Sequence, residues 1–348
     1  MERETGGGVR ASALEKTQVW NEAWSRALPL VDGAVHGRLP GARDGVELAY
    51  LDWGGERPLA VLLHANGFCA ATWAPIAAAL RDCYRVIAVD ARGHGDSTAV
   101  VPGSDPDAYT WETLARDIDC ALAALLAEIG CERIALGVGH SMGGALVTHN
   151  AVLRPERFEK LLLCDPVLLP PPGWAPGSNA LSAPLSAAPT TGPSAGRGAN
   201  PLAEASRRRR DRFPSAAEAY AHCRSRALYA SFTPEALALY VGLGMRETAT
   251  GELVLKCDRE VEAAIFDSGG SLDLMPRIGE LKAELLILHA GRSGFSRPYY
   301  EELASRTPRA RVDGVDAGHL FPMEEPGLVI GWIEHLGAEP RGGSRSNP

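Results

Sequence analysis

The sequence predicts an α/β protein: a mostly parallel sheet covered by helices, with a mainly helical cap inserted into it. Three observations point there. Short apolar runs alternate with helical stretches from Val46 onward, the rhythm breaks at Pro170, and it returns at Leu285. Strands that alternate with helices need crossover connections, which make a sheet parallel and cover both of its faces.

The first 37 residues are Gly-rich and then carry one modest apolar stretch from Val19 and Trp20 to Leu30. They read as an N-terminal extension, partly disordered, with at most one short helix docked on the body. Val46 to Trp53 alternates as a strand does. Leu59 to Leu63 and Arg85 to Val89 are short continuous apolar runs, with a helical stretch from Thr72 to Arg81 between them. Thr113 to Ile129 is a long Ala/Leu-rich helix, Arg133 to Val138 a buried strand, Gly143 to Leu153 a helix, and Glu159 to Cys164 another strand. From Pro170 to about Arg210 the chain is dense in Pro, Ser, Ala and Gly, which bury little apolar surface, so this stretch is expected to be flexible. The run Arg207 to Arg210 that ends it reads as a solvated helix start or loop. Ser215 to Ala230 and Pro234 to Leu243 regain helical character without a parallel strand, which makes 170–271 a cap. Strands at Leu285 to Leu288 and Ala310 to Val315 and a helix from about Glu324 to Leu336 return the chain to the body. The core is therefore expected over 38–169 and 272–337, followed by a disordered tail at 338–348.

Composition narrows the function. At roughly 150 residues per domain, 348 residues make about two domains, or one large one with an insertion. Thirty-five Lys and Arg against 43 Asp and Glu give a net charge of −8, which offers no global attraction to nucleic acid or to an acidic membrane. No apolar run approaches the ~20 residues that span a bilayer, and the first 16 residues lack the apolar stretch of a secretory signal. A cytoplasmic protein without membrane insertion is expected. Seven scattered cysteines with no C-x-x-C spacing argue against a disulfide framework and a zinc site, and neither nucleotide-binding glycine pattern occurs, so no cofactor and no metal are expected.

The strongest local signal is Gly139-His140-Ser141-Met142-Gly143-Gly144, a G-x-S-x-G that follows an apolar strand and opens a helix. Small residues at 139 and 143 let the chain turn sharply, with Ser141 strained and its hydroxyl raised above the sheet edge. The helix that starts at Met142 turns free N–H groups and a positive dipole end toward a developing oxyanion. His64-Ala65-Asn66-Gly67-Phe68 ends the first core strand and, in a parallel sheet, lies beside that elbow. The N–H of Asn66, paired with that of Met142, would complete an oxyanion hole. The plainer readings are a strand-to-helix turn at Ser141 and a Gly-containing turn with a buried His64.

HANGF at 64–68, DARGHGDS at 90–97, GHSMGG at 139–144 and GHLFPMEEP at 318–326 together resemble the α/β-hydrolase superfamily, in order and in spacing, and frame nearly everything from Val46 to Leu336. The resemblance implies that fold, with the cap placed after the sixth sheet strand, and a base at His319. Independently, Gly318-His319 follows a strand and precedes a helix, which puts the imidazole on the same edge as Ser141. His94 and Asp96 are assigned structural roles in a tight turn, with Asp96 capping that turn through its own carboxylate.

The third member of a triad departs from the pattern. In similar enzymes the acid most often follows the strand that here reads Leu285 to Leu288, but Gly294 stands where the Asp would be. Asp165, just past the strand ending at Cys164, can fill the role, as similar lipases and dehalogenases do, and it keeps the order Ser, acid, His. Asp316 is too close to His319 in sequence to approach the ring easily, and a dyad or an inactive site stays open. The leading function is a serine hydrolase acting on a small-molecule acyl substrate, a carboxylic ester, lactone or related carbonyl compound, through an acyl-enzyme. Acyl transfer or carbon–carbon bond cleavage at the same Ser-His pair is the first alternative. A non-catalytic binding protein on the same fold, motivated by Gly294, is the second. Cap aromatics Phe213, Tyr220, Tyr229, Phe232, Tyr240 and Phe266 would line an apolar acyl pocket where some of them face inward, and for most of them plain core is the alternative reading.

Overall fold

The apolar runs of the sequence become the strands of one sheet in the computed structural model, which describes residues 12–170, 200–269, 272 and 274–338. In chain order they are β1 (Val35–Pro40), β2 (Glu47–Asp52), β3 (Leu59–Leu63), β4 (Arg85–Val89), β5 (Ile134–His140) and β6 (Phe158–Cys164). The insertion contributes β7 (Arg212–Phe213), β8 (Met245–Glu247) and β9 (Leu253–Leu255), and β10 (Glu284–Ala290) and β11 (Ala310–Val315) return to the sheet. The eight main strands lie in the order β1-β2-β4-β3-β5-β6-β10-β11. β1 and β2 pair antiparallel with each other and β2 with β4, while every pair from β4 to β11 is parallel.

Both faces of the centre are buried, which is why its strands read as unbroken apolar runs. On β3, Leu59, Val61 and Leu63 face one core and Ala60 and Leu62 the other. The first core packs under helices Trp111–Ile129, Met142–Leu153 and Arg297–Ser305; the second packs under Ala74–Leu80 and Pro326–Ala338. A buried ion pair ties the loop after β4 to the first of these helices: Arg92 grips Asp117 through Nε at 2.6 Å and Nη2 at 2.8 Å.

Several expectations are corrected. The core does not begin at residue 38, because β1 starts at Val35 and pairs with β2 over its whole length. The helix expected in the N-terminal stretch spans Ala13–Ala27, opened by a reciprocal Ser12 and Glu15 capping box, and it docks on the cap through helices Ala216–Arg224 and Pro234–Gly244, while residues 1–11 lie outside the described residues. Trp20 and Trp24 stack at 5.4 Å, Trp20 meets Tyr220, and Trp24 lies against Gly242. Lys16 pairs with Glu218 and Arg26 with Glu235, and the Trp53 indole N–H donates to Leu30 O at 2.8 Å, so the strap is tied to cap and core alike.

The cap also contains a small antiparallel sheet, β7-β9-β8, too short to register as a periodicity. The helix read over 215–230 stops at Arg224, whose guanidinium turns back to bind the carbonyls of Ala230 and Phe232. Of the stretch read as flexible, 171–199 lies outside the described residues, as does the tail from 339; residues 201–208 form a helix. The arginine run is not simply a solvated face. Arg207 and Arg208 close that helix with surface ion pairs, but Arg209 turns inward and pairs with Glu262 at 3.0 Å.

Replacing Trp24 by Ala removes the half-buried ring that joins the strap to the cap. The expected cost is about 2–3 kcal/mol, read as a lower Tm, whereas an unchanged Tm would show that the helix is not anchored there.

Candidate active site

The parallel pairing carries the ends of β3, β4, β5, β6, β10 and β11 to one edge, and the residues singled out in the sequence meet there. Ser141 follows β5 with φ 54° and ψ −115°, a conformation an L-residue holds only when its surroundings enforce it. The clearances at Gly139 and Gly143 make it possible. A Cβ at 143 would lie 2.1 Å from Leu63 O and 2.8 Å from His64 O, and one at 139 would lie 2.5 Å from Gly143 O. The first turn of the helix therefore sits directly on the end of β3, and the HANGF loop comes to lie beside the elbow.

His319 Nε2 is 3.0 Å from Ser141 Oγ, and His319 Nδ1 is 2.7 Å from Asp165 Oδ2. A carboxylate only accepts, so the ring proton sits on Nδ1 and the Nε2 lone pair faces the serine hydroxyl. Asp165 is fully buried and, like Ser141, holds a positive φ, 43°. Its turn is clamped from three sides. Asp165 N–H donates to Leu288 O, the Tyr300 hydroxyl donates to Pro166 O at 2.5 Å, and Val167 N–H donates to Ser141 O. Its second oxygen accepts from Ala290 N–H at 3.1 Å and from the Ser293 hydroxyl at 3.2 Å. The end of β10 and the loop after it thus supply one donor each to Asp165, and Gly294 faces open space. Asp316 turns outward to an exposed pair with Arg292 and does not approach the ring.

Asn66 lies in the HANGF loop and Met142 opens the helix directly after Ser141. Among the described residues neither backbone N–H has a protein acceptor, as an oxyanion hole requires. The loop around Asn66 is braced by buried imidazoles. His94 Nε2 accepts from Gly67 N–H at 3.0 Å, and His64 Nε2 accepts from Ala91 N–H at 3.0 Å. His64 and His94 are structural in this geometry. Asp96 does not cap its own turn; Asp90 does, taking Ala70 N–H on one oxygen and Asp96 N–H on the other, while the Asp96 carboxylate reaches Lys256 of the cap at 2.8 Å.

Three contributors were not singled out from sequence. His140 Nε2–H donates to His319 O at 2.8 Å and fixes the backbone of the base. Ser293 and Glu262, which accepts from Asn66 Nδ2 at 3.1 Å through its carbonyl, are the others. Ser293 carried a signal, since a small hydroxyl residue stands beside the missing acid. Of the cap aromatics, Phe213, Tyr220, Tyr229, Phe232 and Tyr240 are plain core: they pack on one another and on Phe68. Phe295, 5.3 Å from the His319 ring, is the aromatic beside the base. A cavity of about 480 Å³ opens behind the HANGF loop, against Arg38, Tyr50, Cys69, Asp90 and Leu243, and no member of the Ser141, His319, Asp165 set lines it. Among the described residues no group of three or more His, Cys, Asp or Glu is placed to hold a metal ion, and no helix is long and apolar enough to cross a membrane.

A model described as the alpha/beta hydrolase family matches residues 60–332. Over 100 residues the chain is 38% identical to the protein phosphatase methylesterase 1 of Mus musculus, covering 28% of this chain and 24% of that protein. Over 116 residues it is 36% identical to a bifunctional esterase/perhydrolase of Acinetobacter calcoaceticus, covering 33% and 38%. The matches span only about a quarter to two fifths of these relatives. Among solved structures, an E-2-(acetamidomethylene)succinate hydrolase superposes with a TM-score of 0.66 at 19% identity, over 88% of this chain and all of that one, a likeness of fold.

Burial makes the histidine scaffold sensitive to acid. It pushes His64 down to about 4 and holds His94 and His140 well below the usual imidazole value. In the unfolded chain each takes a proton near 6.5. Their contribution is therefore complete above about pH 6.5 and is lost as pH falls toward the folded values, with a limiting slope of about 4 kcal/mol per pH unit for three protons. Asp90, pushed up to about 6 by burial, works in the opposite sense, binding a proton in the folded state between roughly pH 6 and 4 that the unfolded state lacks. The net expectation is a urea midpoint that drops steeply between pH 7 and 5; a flat profile would mean that these imidazoles are not held neutral.

Proposed function

The chain belongs to the alpha/beta hydrolase family, and from that membership we propose that it is a serine hydrolase cleaving a small or medium carboxylic ester, lactone or related carbonyl substrate through an acyl-enzyme. One observation carries the proposal: the unbroken hydrogen-bond chain from Ser141 Oγ through His319 to Asp165.

In this reading His319 Nε2 takes the Ser141 proton as Oγ attacks the carbonyl carbon. Asp165 stabilises the imidazolium through Nδ1–H and keeps the ring in the tautomer that can accept. The Asn66 and Met142 N–H groups receive the charge that develops on the carbonyl oxygen, at the positive end of helix Met142–Leu153. The imidazolium returns its proton to the leaving alkoxide. Water, activated by the same imidazole, then cleaves the ester to Ser141. A hydroxyl nucleophile favours acyl chemistry over halide or epoxide displacement, which needs a carboxylate to form an alkyl ester. A second reading has one specific support, the 36% identity to a relative named as a bifunctional esterase/perhydrolase: transfer of the acyl group to an acceptor other than water. The cytoplasmic location expected from the sequence belongs to the same proposal.

A fluorophosphonate is expected to label the purified protein and to leave Ser141→Ala unlabelled; a folded wild type that stays unlabelled would overturn the proposal. Asp165→Asn should lower kcat by ~10³ or more with the fold intact. A loss under tenfold would remove Asp165 from its role as the acid.

A further inference from the structure

An oxyanion donor works only if it is held within a few tenths of an ångström of its place, and the loop that carries Asn66 is anchored from two sides. On the core side, Gly67 N–H donates to His94. On the other side the anchor belongs to the cap. Asn66 Nδ2 donates to Glu262 O at 3.1 Å, and the Glu262 carboxylate lies so close over Gly67, whose φ is 82°, that a Cβ there would come within 2.5 Å of Oε1. Glu262 sits on helix Arg259–Asp267, which packs against helix Pro201–Arg208. Arg209, the residue after that second helix, completes the contact. Its Nη1 pairs with Glu262 Oε2 at 3.0 Å and its Nη2 donates to Cys257 O at 3.3 Å.

A buried carboxylate does not hold this position unaided. Burial alone pushes Glu262 up toward its neutral form, and Arg209 opposes that rise. The ion pair is nearly enclosed, so removing one partner leaves the other charge desolvated and free to repack. The first thing it would move is the loop beneath it.

We infer that Asn66, Glu262 and Arg209 form a latch through which the seated cap fixes the oxyanion loop, which makes Glu262 and Arg209 positioning residues for catalysis although neither is hydrogen-bonded to the Ser141, His319, Asp165 set. The latch couples cap position to transition-state stabilisation: when helix Arg259–Asp267 lifts, the Asn66 side chain loses its tether to the cap, keeping only the 3.1 Å contact of Oδ1 with His94 Nε2, and the Asn66 N–H drifts from the oxyanion. Its catalytic consequence rests on the serine-hydrolase reading, whereas its structural part does not.

The test uses the full chain with Arg209→Met and Glu262→Gln. Three quantities are read: kcat and KM on p-nitrophenyl acetate, Ki for a trifluoromethyl ketone that forms an oxyanion on the serine, and hydrogen exchange of the peptide spanning 64–70. The latch requires kcat to fall by roughly tenfold or more, Ki to rise by a similar factor, KM to stay within about threefold and the 64–70 amides to exchange faster. Arg209→Lys, which keeps the charge without the fork, should restore part of the loss. If an Arg209 or Glu262 variant fails to fold, Asn66→Ala, which removes the tether and keeps the backbone donor, must give the same pattern. Unchanged kcat, Ki and exchange in folded variants overturn the latch, as does a drop in Tm alone, the signature of an ordinary ion pair. If the wild type proves inert, the chemical reading falls by itself and the exchange of 64–70 decides the latch.

Discussion

The sharp turn at Ser141 is the constraint to which the rest of the site answers. A serine with φ 54° is strained, and its surroundings hold it there: Cβ atoms at Gly139 and Gly143 would meet backbone at 2.5 and 2.1 Å. The helix after it sits on Leu63 O and His64 O, which fixes the distance between the elbow and the HANGF loop. Ser141 N–H donates to Cys164 O, and Ser141 O accepts from Val167 N–H, which fixes the elbow against the end of β6. Moving the serine would therefore disturb the HANGF loop on one side and the Asp165 turn on the other. One set of backbone contacts places all the residues of the proposed site.

In the proposed triad Asp165 stands in for an acid after β10, and the sheet shows how it reaches the same imidazole. β6 and β10 are neighbours in parallel register, with Cys164 opposite Leu288, so carboxylates placed just beyond either strand approach the same imidazole from adjacent lanes of the sheet. What differs is the support. Here the chain beyond β6 bends into a positive φ, and the loop beyond β10, relieved of an acid, becomes its donor shell through Ala290 N–H and Ser293. Asp165 and Ser141 are the non-glycine residues with positive φ among those described, so backbone strain is concentrated in two of the three residues that meet at His319.

Local chemistry decided what could be read without coordinates. Strands β3 and β4 match their apolar runs residue for residue, because a strand buried on both faces leaves little polar interruption to blur its ends, and β11 matches as well although it is a half-buried edge strand carrying Arg311 and Asp313. Ser141, Asn66, Asp165 and His319 were legible because each sits at a strand end that composition marks. β1 was not, since His36, Gly37 and Arg38 form an exposed edge strand whose polar pattern resembles a loop. Arg209 was hidden inside a run of four arginines, where sequence gives no sign of which one turns inward. The short cap strands and the Glu262 contact depend on tertiary packing alone.

Four imidazoles crowd this edge, and which of them handles the proton follows from what each second nitrogen faces. His64 and His94 lie 4.9 Å apart, and His140 and His319 lie 5.1 Å apart, so proximity does not discriminate among them. His64 and His94 turn Nδ1 to the carbonyls of Ala65 and Arg92, and His140 turns Nε2 to the carbonyl of His319. A carbonyl dipole orients a ring but carries too little charge to offset burial of an imidazolium, so these three stay neutral. His319 alone of the four is hydrogen-bonded to a carboxylate, since His64 Nε2 comes only within 3.9 Å of Asp90, and the His319 side chain is also about a third exposed. The same side chain thus meets two settings at this edge, a neutral strut where the partner is a peptide group and, in the proposed function, the base where the partner is Asp165.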